Sequence, residues 1–448
     1  MLRKRIITVL LINVLILTAF SGCNSKKDNN LTMHGITTEV PTTENTTTET
    51  PTVEKATTEA PTTEEIATET TTTETPTTET PTTEIPTTQA PTTPPDTAPT
   101  IDEQVEAIIN DMTLHEKVCQ LFVVAPEKLM NSGTVTVAGA EVKAKLKEYP
   151  VAGFIFFASN LVEPEQTKTM LSNLQTYSNE IIGLEFYTCI DEEGGRVARI
   201  GNNPAFGVTK INAMSTIKTI DEAYNAGNTI GRYLSNLGFN FDFAPDADVL
   251  TNPLNTVIND RSFGNDADIV SDFSVSYAKG LQANNVLSTF KHFPGHGSTE
   301  GDTHEGYAYT SKNLEELMAA ELKPFKAAAE NNVDAIMAAH ISVPTVLGDN
   351  TPCTLSKYMI TDVLRNELGY EGLVITDALG MGAIANEYSS DEAAVKAILA
   401  GNDLLLMPED FYQAYNGVMD AVSEGIISED RIDESLRRII KSKILLNN

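Results

Sequence analysis

Eight short apolar runs alternate with stretches of helical spacing between residues 118 and 407, and this alternation limits the fold more than any other feature. The runs cover 118–124, 151–157, 185–191, 239–245, 286–292, 335–340, 373–377 and 403–407. Several are continuous and rich in β-branched or aromatic residues, as parallel strands buried on both faces must be. Between them, Leu171, Leu174, Tyr177, Ile181 and Ile182 share one helical face, and Ala223, Ala226, Ile230, Tyr233, Leu234 and Leu237 share another. Leu314, Leu317, Met318 and Leu322 begin a third helix, with Ser311 as the expected cap. Strands alternating with helices predict an α/β fold, a single (β/α)8 barrel. An open doubly wound sheet is the runner-up.

Polar residues collect at one end of this pattern. Asp191, Lys291, His292, His340 and Asp377 all fall at the C-terminal ends of expected strands. Arg261 follows the fourth strand, and His304 sits in a long loop after the fifth. A barrel gathers such residues on its catalytic face, whereas a merely solvated surface would spread them over the helices too. This convergence argues for an enzyme.

Residues 1–100 have another character. Arg3, Lys4 and Arg5 precede a mostly apolar stretch from Ile6 to Phe20, which ends in Ser21-Gly22-Cys23. That order suits a secretory leader over 1–23. A cysteine after small residues resembles a bacterial lipobox, so Cys23 is the expected lipidation site. The implied location is outside the cytoplasm, anchored to the cell membrane by lipid; an uncleaved anchor or simple secretion are the alternatives. Residues 24–100 repeat Pro-Thr-Thr-Glu and have almost no large apolar side chains, so they are expected to form a disordered, extended tether. Between Glu39 and Asp96, twelve acidic residues face one lysine, Lys55, and so account for only part of the net charge of −31. Residues 101–448 are therefore acidic as well, which argues against nucleic-acid binding. Cys119, Cys189 and Cys353 cannot all pair and are expected as buried free thiols.

Lys291-His292-Phe293-Pro294-Gly295-His296-Gly297 is followed by Asp302-Thr303-His304. With Asp191-Glu192-Glu193-Gly194-Gly195-Arg196-Val197, Asp260-Arg261-Ser262-Phe263-Gly264 and Ile375-Thr376-Asp377-Ala378-Leu379-Gly380-Met381, this resembles glycoside hydrolase family 3, specifically its β-N-acetylglucosaminidase branch. The resemblance spans nearly all of 101–448, with the motifs in the family's order. It implies a retaining exo-acting hydrolase of terminal β-linked N-acetylglucosamine. Asp377 would be the nucleophile, and His304 the acid/base oriented by Asp302. Asp191, Arg199, Arg261, Lys291 and His292 match positions that bind the terminal sugar. Family 3 β-glucosidases generally take their acid/base from an added domain. With the chain ending at Asn448, the loop itself is expected to supply the proton.

The chemistry stands without the name. Retaining hydrolysis needs a carboxylate beside the anomeric carbon and a proton donor on the leaving oxygen. An imidazole titrates near neutrality and can act as acid in one step and base in the next. The spacing of His292, His296 and His304 fits no strong zinc pattern. Neither Gly194-Gly195 nor Gly295/Gly297 matches a nucleotide loop, so those glycines are expected to let backbone approach a sugar. No metal, cofactor or obligate protein partner is expected. Glu192, Glu193 and Arg196 read as supporting ion-pair partners. His296, Asp246 and His340 are left without an assigned role. With no tryptophan, either Phe206, Phe263 or Phe293 stacks the sugar, or a narrow pocket grips it by hydrogen bonds. Two other functions stay open: phosphorolysis by the same residues, and a catalytically dead wall-binding lipoprotein.

Overall fold

The computed structural model describes residues 99–304 and 306–446. The expected leader with Cys23, and the expected tether as far as residue 98, lie outside the described residues. Each of the eight apolar runs coincides with a strand shorter than the run, the fifth strand ending one residue beyond its run at Phe293. They are β1 (Phe122–Val124), β2 (Gly153–Phe156), β3 (Tyr187–Ile190), β4 (Phe241–Asp242), β5 (Thr289–Phe293), β6 (Ala335–Ala338), β7 (Leu373–Thr376) and β8 (Leu405–Leu406). Every residue in them is buried, which explains why the runs read as continuous rather than alternating.

The strands form two parallel sheets. One has the order β8-β1-β2-β3-β4, the other β7-β6-β5. Isolated parallel bridges join their borders: Phe241 to Leu287 and Asp246 to Lys291 on one side, Ile375 to Leu404 on the other. Helices connect successive strands, among them Pro164–Ile182, Ile220–Leu237 and Ala267–Gln282. The apolar face expected for 222–237 is buried throughout.

Two expectations need correction. Val118 and Cys119 are not in a strand but in the helix Leu114–Cys119, which Thr113 and Glu116 start with a capping box. The third helix is capped by Asn313, whose side chain accepts the Glu316 N–H at 3.0 Å, and not by Ser311. That helix ends at Ala319, and a second begins at Lys323. Pro324, lacking an N–H, suits the start of a helix and not its interior. The three cysteines are buried and free, as expected.

One helix crossing is unusually close. A Cβ on Gly227 would lie 2.1 Å from the Tyr277 carbonyl oxygen, and one on Gly280 would lie 2.4 Å from that of Tyr224. Glycines on both helices let Ile220–Leu237 and Ala267–Gln282 touch backbone to backbone.

Candidate active site

Residues at or just after the C-terminal ends of all eight strands line one cavity of about 520 Å3, among them Lys128, Phe157, Asp191, Phe243, His292, Met337, Asp377 and Met407. That volume suits a small ligand. Asp191, directly after β3, leads into a hairpin of Glu192–Gly194 and Val197–Ala198. The hairpin is pinned from below by Glu192, which is fully buried. Its carboxylate accepts the N–H groups of Arg199 (2.5 Å), Ile200 (2.9 Å) and Gly201 (2.6 Å), and the Tyr233 hydroxyl (2.8 Å). This anchoring fixes the backbone at Arg199, whose guanidinium lies over the Phe157 ring, 5.9 Å from its centroid, and 3.4 Å from Asp191.

Opposite charges alternate along the cavity floor. Lys291 on β5 reaches Asp191 at 2.8 Å and Glu193 at 2.7 Å. Arg261 grips Glu193 with two bonds, Nη2–Oε1 at 2.8 Å and Nε–Oε2 at 2.9 Å. The same guanidinium lies 3.3 Å from His292 Nε2 and 3.4 Å from Asp246. Because guanidinium only donates, His292 Nε2 accepts, and its Nδ1–H donates to Asp248 Oδ2 at 2.7 Å. Asp248 Oδ1 also takes the His296 N–H at 2.5 Å. Burial opposes ionisation of Glu193, but Arg261 and Lys291 outweigh it and hold the carboxyl far below its usual range. Burial likewise opposes ionisation of Asp248, and His292 and His296 reverse the balance. Ligand atoms of Asp246, Asp248 and His292 lie within 4.8 Å of one another. A cation there would have to break the Asp248–His292 bond beside Arg261, so the set reads as a hydrogen-bonded support for the imidazole.

Asp377 follows β7. Its N–H donates to the Ala338 carbonyl at 2.8 Å, and its Oδ1 accepts the Ala378 N–H at 2.8 Å. Burial disfavours the carboxylate, yet His340, His292, the Ala378 N–H and Lys291 hold the group below its normal pKa, so it is ionised at neutral pH. His304, on the loop after β5, borders the same cavity. Its Nδ1 lies 2.7 Å from Asp302 Oδ1, which also accepts the His304 backbone N–H at 2.9 Å. The pair is open to solvent, with side-chain exposures of 67% for His304 and 36% for Asp302.

Seven of the eight residues named from sequence thus line one cavity, and Asp302 holds His304 beside it. Other readings change. Phe206, Phe263 and Phe293 are buried and do not line it; Phe157 and Phe243 are the cavity's phenylalanines. The glycines of the two motifs pack against other segments and do not line the cavity. Gly195 lies against the Ala213 backbone, Gly297 against the Val249 carbonyl and Gly295 against the Glu321 side chain, while Gly380 and Gly382 border the cavity. His296 is buried beneath the loop, bonded to Thr299 at 2.9 Å, and burial pushes its pKa down to about 4. Arg196 faces away, holding the Val257 carbonyl at 2.6 Å and Asp260 at 3.1 Å. Glu193 is a cavity residue, and Asp248 was not anticipated, although Asp246-Ala247-Asp248 closes the fourth run just as Asp191 closes the third.

A larger cleft, about 1080 Å3, opens at the other end of the strands. Its arginines are already committed. Arg365 and Arg438 bind Asp403 at 2.5 and 3.0 Å, and Arg431 bonds to the carbonyls of Ile398 (3.0 Å) and Asn402 (2.8 Å). This is a structural ion-pair cluster, and the smaller cavity is the candidate site.

Comparison with known proteins agrees with this geometry. Residues 113–442 match the glycosyl hydrolase family 3 N-terminal domain. The chain is 32% identical over 338 residues to Beta-hexosaminidase A of Pseudoalteromonas piscicida, covering 70% of this chain and 56% of that protein. It is 32% identical over 262 residues to Beta-hexosaminidase LpqI of Mycobacterium tuberculosis, covering 57% of this chain and 67% of that one. Among solved structures, a family 3 beta-N-acetylglucosaminidase from Paenibacillus superposes with a TM-score of 0.70 at 36% identity, over 75% of this chain and 64% of its own. The match thus spans a little over half the length of the Pseudoalteromonas relative. The chain belongs to glycosyl hydrolase family 3, in the branch of the bacterial beta-hexosaminidases.

Proposed function

We propose that the protein is a retaining exo-β-N-acetylglucosaminidase acting on terminal β-linked N-acetylglucosamine of peptidoglycan-type or chitin-type fragments. The observation that carries this reading is that Asp377 and the Asp302-held His304 border a single cavity whose floor is lined by Asp191, Lys291, Glu193 and Arg261. With Oδ1 bound to Ala378, Asp377 attacks C1 through Oδ2 as the His304 imidazolium gives its Nε2 proton to the leaving oxygen. The glycosidic C–O bond breaks and a covalent glycosyl-Asp377 forms. Neutral His304 then takes a proton from water, whose oxygen attacks C1 and releases Asp377. Asp191 and Lys291 accept from and donate to the hydroxyls of the terminal sugar, while Arg199, Arg261 and His292 complete its grip. The β-hexosaminidase and β-N-acetylglucosaminidase relatives support this substrate class.

The same reading takes the eight strands as one closed (β/α)8 barrel. It rests on the bridges Phe241–Leu287 and Ile375–Leu404, which join the borders of the two sheets, and on lining residues drawn from all eight strand ends. It also places the mature protein outside the cytoplasm, tethered through lipidated Cys23 by residues 24–100, with 101–448 as the catalytic domain. Cys23→Ser should release the protein from the membrane fraction; mass spectrometry finding an unmodified Cys23 in an uncut leader refutes the anchor. The activity itself is tested on chitobiose and nitrophenyl N-acetylglucosaminide, with and without inorganic phosphate. Free N-acetylglucosamine formed at a phosphate-independent rate is expected. A sugar phosphate product would mean phosphorolysis, and no turnover would mean a binding protein.

A further inference from the structure

The proposed reaction steps give no part to His340, a fully buried imidazole two residues beyond β6. Its Nε2 lies 2.9 Å from the Ala378 carbonyl and its Nδ1 lies 2.9 Å from the Thr354 hydroxyl. A carbonyl only accepts, so Nε2 carries the hydrogen. The Thr354 hydroxyl has one hydrogen to give, and two acceptors lie within reach: His340 Nδ1, and the Ala338 carbonyl at 3.0 Å. That carbonyl already has a donor in the Asp377 N–H at 2.8 Å, whereas Thr354 is the hydroxyl that faces Nδ1, so its hydrogen is assigned to the shorter contact with the ring. Burial also favours the neutral ring, against the pull of Asp377. The result is one defined tautomer: Thr354 O–H to Nδ1, and Nε2–H to Ala378 O.

We propose that His340, oriented by Thr354, is a positioning residue for Asp377, an inference that rests on Asp377 being the nucleophile. Two constraints meet at Ala378. Its N–H holds Asp377 Oδ1 at 2.8 Å, and its carbonyl is held by His340. The N–H and the carbonyl lie in the two peptide planes that flank the Ala378 Cα, and the second plane is held by His340 on its carbonyl and by the Leu379 N–H to the Leu406 carbonyl at 2.9 Å. Restraining that plane limits the Ala378 dihedrals, and with them the direction of the N–H that selects which carboxylate oxygen is left for attack. Asp377 is also tied through its own N–H to the end of β6, two residues before His340. The strand that carries the imidazole therefore holds the nucleophile at two points. Without the His340 bond, the plane that carries the Ala378 carbonyl is held only through Leu379, the Ala378 dihedrals gain freedom, and Oδ2 loses its aim. A misplacement of that kind costs rate and not ground-state binding.

The full chain with His340→Leu, His340→Gln or Thr354→Val provides the test. Gln can donate to Ala378 and accept from Thr354, and Leu can do neither. The pre-steady-state burst of nitrophenolate gives the glycosylation rate constant. Titration with a 5-fluoro glycosyl fluoride corrects it to the number of working sites. Inhibition by free N-acetylglucosamine reports ground-state binding. In His340→Leu the glycosylation constant per site should fall about 10- to 100-fold, with inhibition unchanged, and Gln should restore most of the rate. A per-site rate in His340→Leu within about twofold of wild type overturns the proposal, as does an equal weakening of inhibition. Should His340→Leu fail to fold, the other two decide: Thr354→Val slower than His340→Gln supports the proposal, and equal rates overturn it. Asp377→Ala separates the two layers. Residual turnover there would sink the nucleophile assignment itself. A dead Asp377→Ala beside normal His340 variants would sink only the positioning role.

Discussion

If His304 gives the leaving group its proton, the cost of removing it depends on how much that group needs one. Nitrophenolate departs as a stable anion, so glycosylation of Asp377 in His304→Ala should continue at near its normal rate. A sugar alkoxide is a poor leaving group, and chitobiose should lose on the order of 10²–10⁴-fold, the usual value of a general acid. The structure sets the size of the Asp302 effect. Asp302 Oδ1 accepts both the ring Nδ1–H at 2.7 Å and the His304 backbone N–H at 2.9 Å, so it fixes the ring and the turn that carries it. Asp302→Asn keeps an acceptor oxygen and removes only the charge. With side-chain exposures of 36% and 67% the pair is well screened, so its Coulomb contribution is about 1 kcal/mol, or roughly fivefold in rate. Asp302→Ala removes the bond as well and should cost about 10- to 100-fold on chitobiose. Deglycosylation of His304→Ala lacks its base, so the glycosyl-enzyme should accumulate, and azide should restore turnover as a β-glycosyl azide. Parallel steady-state and burst measurements on both substrates provide the assay. Equal losses on both, with no azide product, would mean that His304 binds sugar and that the proton comes from elsewhere.

Two further predictions concern the scaffold. Burial pushes the Lys443 amine down to about 7, where it donates to Gln120 and Ala152 at 2.9 Å and faces the Tyr187 ring. The unfolded chain keeps that lysine protonated to about pH 10.4, so folding releases a proton between these values and stability should rise with pH across the window, by up to about 1.4 kcal/mol per unit. Lys443→Met should flatten the rise in melting temperature between pH 7 and 10, and an unchanged slope would refute the assignment. Gly227→Ala should destabilise by about 1–3 kcal/mol in denaturant titration, because the new methyl meets a backbone carbonyl at 2.1 Å that cannot rotate away; a neutral substitution would show that the helices can part freely.

The eight strands were legible because each is short, continuous and buried on both faces. Their ends were not, since a ladder stops where the backbone diverges and not where side chains become polar. Phe239 and Phe243 are as buried as Phe241, yet the fourth strand covers only Phe241–Asp242. Val118 and Cys119 misled because a buried helical turn is as apolar as a strand, although Thr113 and Glu116 spelled its cap. The charged residues of the site could be found because their motifs either end a strand, as at Asp191, Lys291 and Asp377, or lie in the loop that follows one, as at Arg261 and His304. His340 could be placed near them but not understood: its partners, Thr354 and the Ala378 carbonyl, come from other segments, and a backbone acceptor leaves no mark in sequence. The motif glycines were seen but misread, because sequence cannot tell whether a close approach is made by a ligand or by another loop.

The site divides into two environments, and the division follows from what each half must do. Lys291, Glu193 and Asp248 are almost wholly buried, each held by at least two partners. Charges alternate there from Asp191 through Lys291 and Glu193 to Arg261, and the His292 ring links Arg261 to Asp248 by hydrogen bonds, so each ion sits beside partners that offset its desolvation. Such a chain is costly to rearrange, which suits groups that must meet fixed hydroxyls. The proposed proton donor lies outside it, on the exposed loop with Asp302. A group that gives a proton in one half-reaction and recovers one from water in the next needs solvent beside it. Were His304 built into the buried chain, neighbouring Arg261 and Lys291 would disfavour its charged form. Placing the proposed donor at the rim, with one carboxylate to hold it, keeps it apart from the cations proposed to bind the sugar.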